Sequence, residues 1–166
     1  MPSNRGTWHR ARVGSGVTLE VGRCDPDAVA ALLHGLPEWF GIEEATAAYI
    51  EAARTMPTVL AHDDGVVVGA LLWNRHFPAA AEVHLMAVDA AQHRRGIGTA
   101  LLERAEEELR ADRLRYLQVK TLGPSRPDDE YERTRRFYEA RGFVALEEMI
   151  GVWPEDNPML ILVKAL

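Results

Sequence analysis

Residues 82–102 read EVHLMAVDAAQHRRGIGTALL and are the most informative part of the chain. The first part, Glu82–Val88, is rich in the apolar and β-branched residues typical of a strand. The Gly96-Ile97-Gly98 turn then leads into Gly98–Arg110, where leucines recur at the spacing of one helix face. With Arg115–Thr121 as the next strand, the pattern predicts a β-α-β unit whose two strands are parallel.

The turn between strand and helix has the composition of an anion site. Gly96 and Gly98 lack Cβ atoms, so a ligand can approach the backbone closely. The N–H groups of the first helical turn and the helix dipole favour negative charge there, and Arg94 and Arg95 add to it. A diphosphate group is the predicted occupant. The alternative is a glycine-rich turn selected only for its backbone geometry.

Two other phosphate-binding motifs do not fit this turn. A P-loop requires Gly-Lys-Ser/Thr, and the turn has no such lysine before Thr99. A Rossmann fingerprint requires Gly or Ala where this chain has Leu101, within a βαβ repeat near the chain start.

The rest of the chain alternates short strands with amphipathic helices. Runs of antiparallel strands with interspersed helices predict an α/β (α+β) fold, a mixed central sheet of about six to seven strands with helices on both faces. The further predicted strands are Val17–Val21, Thr58–Ala61, Val66–Trp73, Phe143–Leu146 and Leu160–Lys164, and the further helices are Ala28–Leu33, Glu43–Arg54 and Glu130–Arg141.

Length and composition indicate one domain. A chain of 166 residues suits a single core, which we place at residues 17–166, after a flexible basic leader at residues 1–16. No apolar run is long enough for a membrane span. A net charge of −6 argues against a nucleic-acid partner. We expect a cytoplasmic protein.

Cys24 is the only cysteine in the sequence. A single cysteine excludes an intrachain disulfide and a clustered-cysteine zinc site. Cys24 is a turn residue before Asp25-Pro26 or, alternatively, a thiol nucleophile.

Two motifs resemble one known family. His93-Arg94-Arg95-Gly96-Ile97-Gly98 resembles the coenzyme A motif Gln/Arg-x-x-Gly-x-Gly/Ala of the GNAT N-acetyltransferases, and Arg136–Phe143 resembles their later FYxxxGF signature. The resemblance implies the GNAT fold and acetyl transfer from acetyl-CoA to an amine of a small molecule or a protein. Two departures are His93, where Gln or Arg is usual, and Tyr131 with Thr134, where Asn-x-x-Ala is common.

The resemblance also implies which residues bind acetyl-CoA. The backbone of Met86, Ala87 and Val88 would bind the pantetheine arm as an added strand would. The thioester would lie where the strands Glu82–Val88 and Arg115–Thr121 splay apart, and no metal is implied. The diphosphate would be bound by the turn residues, namely His93, Arg94, Arg95, Gly96, Ile97, Gly98 and Thr99.

Catalysis of amide formation requires a base and an acid. An alkyl ammonium with a pKa near about 10.4 must lose a proton before it attacks. By resemblance Glu82 is the base, with His84 on the same strand face as the alternative base or part of a water relay. Tyr138 would protonate the departing thiolate, and an amide near Met86 would stabilise the oxyanion. Alternatively, Glu82 and His84 are polar residues at a strand end or on a solvated face without a catalytic role, and Tyr138 is a core aromatic.

The acceptor side has weaker signals. Trp39 and Phe40 either contact the acceptor or anchor a connection between helices. The loop Trp153–Pro158 closes over the acceptor, contacts a second copy in a homodimer, or is a solvated hairpin, and Gly123–Asp129 is a candidate second wall. The rival to an enzyme is a non-catalytic acyl-CoA-binding sensor of the same fold.

Overall fold

The computed structural model describes Arg10–Val13 for the backbone alone, and Gly16–Gly22 and Asp25–Leu166 in full. Cys24 lies outside the described residues, so neither interpretation of it is tested. The chain divides into two compact units. The first contains the described residues up to Asn74 together with Leu85–Glu108, and the second contains Arg75–His84 and Leu109–Leu166.

Four antiparallel strands among the described residues follow one another, the first three in the first unit and the fourth mostly in it. They are β1 (Arg10–Val13), β2 (Val17–Val21), β3 (Thr58–Asp63) and β4 (Val66–Phe77). Strand β1 lies within the expected leader and pairs with β2 from Arg10↔Glu20 to Val13↔Val17. Its sequence RARV alternates charged and apolar residues, but four residues are a weak signal, and the arginines were interpreted as part of a basic leader.

Four of the α-helices in the described part of the chain belong wholly or mostly to the first unit. They are α1 (Pro26–His34), α2 (Pro37–Phe40), α3 (Glu43–Ala52) and α4 (Ile97–Ala111). Helix α1 begins where the Asp25 carboxylate accepts a hydrogen bond from Ala28 N at 3.0 Å, with proline in its first turn. Its buried residues Val29, Leu32 and Leu33 form a core with apolar residues of β3, β4 and the end of the next strand.

The remaining strands belong wholly or partly to the second unit. A turn at Pro78-Ala79 joins β4 to β5 (Ala80–Val88), which then pairs with β6 (Tyr116–Leu122) in parallel from Ala80↔Tyr116 to Val83↔Val119. The predicted parallel pair is therefore confirmed. Strand β8 (Met159–Ala165) is antiparallel to β6, and β7 (Val144–Met149) is antiparallel to β8. Helix α5 (Asp129–Glu139) connects β6 to β7.

The strand order is β1-β2-β3-β4-β5-β6-β8-β7. This mixed sheet with interspersed helices confirms the predicted fold class. The eight strands among the described residues exceed the expected six to seven because β1 was not anticipated. None of the helices in the described part of the chain is long and apolar enough to cross a bilayer.

Candidate active site

The turn before α4 has the geometry of an anion site. Its backbone is left-handed at Arg94 (φ 64°) and at Gly96 (φ 81°), a conformation that glycine adopts without strain. The hydrogen bonds of the helix begin with Ala100 N donating to Gly96 O at 3.0 Å. The N–H groups of the first helical turn have no acceptor within their own helix. They are therefore suited to binding a phosphate.

The first unit fixes this turn in place. Asp89 N donates to Val68 O of β4 at 2.9 Å, and the Asp89 carboxylate accepts from Ala91 N at 2.9 Å. A Cβ atom at Gly69 would lie 3.0 Å from Leu101 Cδ1 and 3.1 Å from Ile97 Cγ2. Helix α4 thus packs closely on β4 because residue 69 has no side chain.

Two side chains of the turn are engaged with the protein itself. Arg95 donates to Asp63 Oδ2 at 2.8 Å and also to Gln92. His93 Nε2 lies 2.8 Å from Val88 O, and because a carbonyl only accepts, this nitrogen must donate. It follows that the backbone of the turn, more than these two side chains, is placed to contact a ligand.

The His93 ring connects the predicted coenzyme A turn with Trp39, a predicted acceptor residue. It makes an edge contact with the Trp39 ring, with centroids 5.9 Å apart, while it hydrogen-bonds Val88. Trp39 and Phe40 are half-buried and pack against the core cluster of α1, and Phe40 also contacts the Tyr49 ring. These contacts fit the role of helix anchors, while the acceptor role stays a prediction.

A carboxylate with three donors lies in the second unit. Glu82 is only 8% exposed, and its Oε2 accepts from His76 Nε2 at 2.7 Å, from Gln118 Nε2 at 2.9 Å and from Lys120 Nζ at 2.9 Å. The parallel register sets Glu82 directly opposite Gln118, and Lys120 follows two residues later on the same face. We define the Glu82 cluster as Glu82, His76, Gln118 and Lys120.

These neighbours decide the protonation of both predicted base candidates. Burial opposes ionisation of Glu82, but hydrogen bonds from Lys120, His76 and Gln118 outweigh it and hold the pKa below its ordinary value. Burial also lowers the pKa of His84; the Glu82 charge opposes this effect, whereas Lys120 and His76 reinforce it. At neutral pH, therefore, Glu82 is ionised and His84 is neutral, so both are in the form that accepts a proton.

The His84 shift is directly measurable. We expect the imidazole of His84 to titrate below the ordinary value of 6.5 when followed by NMR. Lys120→Met removes a cation that disfavours the imidazolium, so the pKa should rise. Glu82→Gln removes an anion that favours it, so the pKa should fall further. A resonance assigned through His84→Asn that titrates above 6.5 in the wild type would contradict the described environment.

Tyr138 lies near the end of α5 in an aromatic cluster. It is 3% exposed, and its ring makes edge contacts with Phe137 and Phe143, both with centroids 5.2 Å apart. Burial raises the pKa of its hydroxyl well above the usual range, so the group stays protonated at physiological pH. The ring is buried among core aromatics, and the hydroxyl keeps the proton that an acid would donate. The acid role of Tyr138 stays a prediction.

The two loops considered for the acceptor side, Gly123–Asp129 and Trp153–Pro158, lie against each other. Gly123 N donates to Pro158 O at 2.8 Å, and Arg126 hydrogen-bonds the Asn157 side chain. The Glu148 carboxylate of β7 accepts from Ser125 N at 3.0 Å and from Ser125 Oγ at 2.6 Å. Hydrogen bonds from Ser125 lower the pKa of Glu148. The loop that leads into α5 is thus held from two sides.

Three residues of the Glu82 cluster were not identified from the sequence: His76, Gln118 and Lys120. The available signal was the pair Gln118 and Lys120, polar residues at alternate positions of a strand predicted to lie beside Glu82. His76 gave no signal. Among the residues with described positions, no group of three or more His, Cys, Asp and Glu side chains could hold a metal ion.

Comparison with known proteins identifies a family domain. A family model described as the acetyltransferase (GNAT) domain matches residues 55–145, more than half of the chain. None of the curated proteins matches the sequence significantly.

Solved structures share the fold at low sequence identity. A putative GNAT-family acetyltransferase from Desulfovibrio desulfuricans is 22% identical with a TM-score of 0.74, over 90% of this chain and 99% of that one. A GNAT-family acetyltransferase from Elizabethkingia anophelis with acetyl-CoA bound is 16% identical, with a TM-score of 0.73 over 92% of this chain and 100% of that one. An aminoglycoside 6'-N-acetyltransferase complexed with coenzyme A is 20% identical, with a TM-score of 0.68 over 87% of this chain and 96% of that one.

Proposed function

Because the chain belongs to the GNAT acetyltransferase family, we propose that it transfers an acetyl group from acetyl-CoA to a primary amine of a small molecule or protein in the cytoplasm. The acetyl group would pass directly to the amine in a ternary complex. The observation that carries the proposal is the left-handed turn at Arg94 and Gly96, which leads into the first turn of α4.

The turn and the strand before it would bind the co-substrate. The amides of Arg94, Arg95, Gly96, Ile97, Gly98 and Thr99 would bind the diphosphate, and the backbone of Met86, Ala87 and Val88 would bind the pantetheine arm. The similar structures from Elizabethkingia anophelis and of the aminoglycoside acetyltransferase contain acetyl-CoA and coenzyme A, respectively. His93 supports this arrangement indirectly, since it holds Val88 O and so fixes the end of β5.

The residues proposed to transfer protons lie in the second unit. Glu82 accepts the proton that the amine loses as it attacks the thioester, and its low pKa keeps it ionised for this purpose. His84 is the alternative, either as base or as a relay through water. The protonated hydroxyl of Tyr138 donates to the departing sulfur.

The proposed activity is tested by a panel of amines, with release of free coenzyme A as the readout. Polyamines, amino acid derivatives, aminoglycosides and peptides with a free N-terminus or lysine cover the acceptor classes. Turnover of at least one class is expected. Tight acetyl-CoA binding without turnover of any amine would favour the sensor, and absence of acetyl-CoA stabilisation in a thermal-shift experiment would refute both.

Gly96→Ala, compared with a control at a similar glycine, tests whether the turn before α4 binds acetyl-CoA. A Cβ atom at residue 96 meets nothing within 4 Å, but its φ of 81° disfavours any other residue. We expect a loss of roughly 1–2 kcal/mol in the free energy of unfolding and a weaker affinity for acetyl-CoA. The affinity is measured by calorimetric titration.

Gly65→Ala is the matched control. Gly65 has a φ of 82° and equally open surroundings, but lies in the turn between β3 and β4. It should lose similar stability and retain acetyl-CoA affinity. Equal affinities for the two variants would contradict the role of the turn.

A further inference from the structure

Lysine is rare in this chain. Only Lys120 and Lys164 are lysines among its 19 lysines and arginines. The two residue types differ chemically, because a lysine can lose its proton and act as a nucleophile, whereas an arginine stays charged. One of the two lysines makes an ion pair with Glu82 at 2.9 Å.

We propose that the chain acetylates its own Lys120 when acetyl-CoA is present without an acceptor amine. The inference rests on the proposed function, because it takes Glu82 as the base of an acetyl-CoA-dependent transfer. Lys120 then stands where the ammonium group of an acceptor would meet that base.

The geometry around Lys120 meets two needs of such a reaction, an accessible amine and an adjacent base. The Nζ–Oε2 distance of 2.9 Å lies within the range in which a carboxylate can take a proton. The lysine side chain is 32% exposed and Glu82 is buried, so the amine can be reached while the base is held by His76 and Gln118. Lys120 is therefore both accessible and adjacent to the proposed base.

The step balances without a further reagent. The Lys120 ammonium gives one proton to Glu82, and the resulting amine forms a bond to the thioester carbonyl carbon. The nitrogen then loses its second proton to solvent as the carbon–sulfur bond breaks. The sulfur leaves as a thiolate and takes a proton from Tyr138 or from solvent. The products are N6-acetyl-Lys120 and free coenzyme A.

Acetylation would change the Glu82 cluster. The ammonium becomes a neutral amide with a single N–H, so Glu82 loses the ion pair and keeps its bonds to His76 and Gln118. Because an acceptor amine would need the same carboxylate, acceptor turnover and self-acetylation should compete. An acceptor that is turned over should therefore slow modification of Lys120.

Lys164 provides an internal control. Its Nζ lies 5.8 Å from the centroid of the Phe143 ring, in a setting different from that of Lys120. Spontaneous acetylation by the thioester would modify it as well. Selective modification of Lys120 would thus separate a catalysed reaction from a chemical one.

The experiment incubates the full chain with acetyl-CoA alone, and peptide mass spectrometry follows both lysines. We expect Lys120 to be acetylated with first-order kinetics independent of protein concentration, and Glu82→Gln to slow this by roughly a hundredfold. Lys164→Arg should leave it unchanged. Thermal stability of each variant, measured in parallel, shows whether it is folded.

Four results would overturn the inference. They are equal modification of both lysines, a rate at Lys120 that a folded Glu82→Gln variant retains, a rate that grows with protein concentration, and an unmodified Lys120 in a chain that acetylates a panel amine. The last result would leave the proposed function standing. Failure of acetyl-CoA to bind at all would remove both.

Discussion

Replacing Glu82 with glutamine is expected to lower kcat for the amine by roughly two to four orders of magnitude, because the variant cannot take up the proton. The residues proposed to bind the diphosphate, His93–Thr99, are unchanged, so the affinity for acetyl-CoA should be retained. The readouts are steady-state release of coenzyme A and calorimetric titration with acetyl-CoA. Glu103→Gln, an exposed position on α4, is the matched control and should retain activity.

Glutamine at position 82 also removes the carboxylate that holds Lys120, His76 and Gln118. A loss of roughly 1–3 kcal/mol in unfolding free energy is expected, since hydrogen bonds to a charged group are lost. Kinetics must therefore be measured where the variant is fully folded. A folded variant with the wild-type kcat and pH–rate profile would exclude Glu82 as the base and leave His84 or water.

Replacing Tyr138 with phenylalanine should lower kcat by roughly a hundredfold, because the departing thiolate loses its proton donor. The ring contacts with Phe137 and Phe143 are preserved, so the fold should be little affected. Acetyl-CoA affinity should change much less than kcat, since the hydroxyl acts on the leaving group. The measurement compares kcat with the calorimetric dissociation constant.

Tyr116→Phe is the control for loss of a hydroxyl from a tyrosine on the same unit. Tyr116 is 45% exposed on β6, so its variant should behave as the wild type. If Tyr138→Phe lowered binding and kcat by the same factor, an acid role would be contradicted. Tyr138 would then be a core aromatic only.

Local signals were sufficient for the β-α-β unit. The Gly96-Ile97-Gly98 turn predicted where a helix begins, and the leucine repeat predicted the helix itself. Each signal depends on a few neighbouring residues, and the structure has the helix between the two parallel strands. The same holds for α5, where Asp128 accepts hydrogen bonds from Glu130 N and Tyr131 N. Helix caps and helical repeats depend on residues that are close together in the sequence, so they can be recognised from the sequence alone.

The Glu82 cluster was not predicted, because its contacts depend on strand register, which the sequence signal at Gln118 and Lys120 does not define. Gln118 and Lys120 alternate along β6 as residues of a solvated strand face would. Only the strand register, which pairs Glu82 with Gln118, places these side chains beside a buried carboxylate. His76 reaches Glu82 across the turn between β4 and β5, a contact that no local pattern encodes.

Strand β1 and helix α2 were missed for a related reason. The main chain of β1 pairs with β2, and this tertiary contact does not require an apolar pattern in its own four residues. Helix α2, at Pro37–Phe40, is a single turn too short for a helical repeat. Both segments depend on what surrounds them more than on their own composition.

The binding of the diphosphate by the turn at His93–Thr99 is tested most directly by calorimetric titration with acetyl-CoA and with S-acetylpantetheine, which lacks the diphosphate and the nucleotide. Adenosine, titrated alone, controls for the nucleoside. We predict that S-acetylpantetheine binds at least ~100-fold more weakly, as expected if two or more charge-assisted hydrogen bonds are lost. Equal affinities would show that the turn binds no diphosphate, and would contradict the proposed acetyl transfer at its starting point.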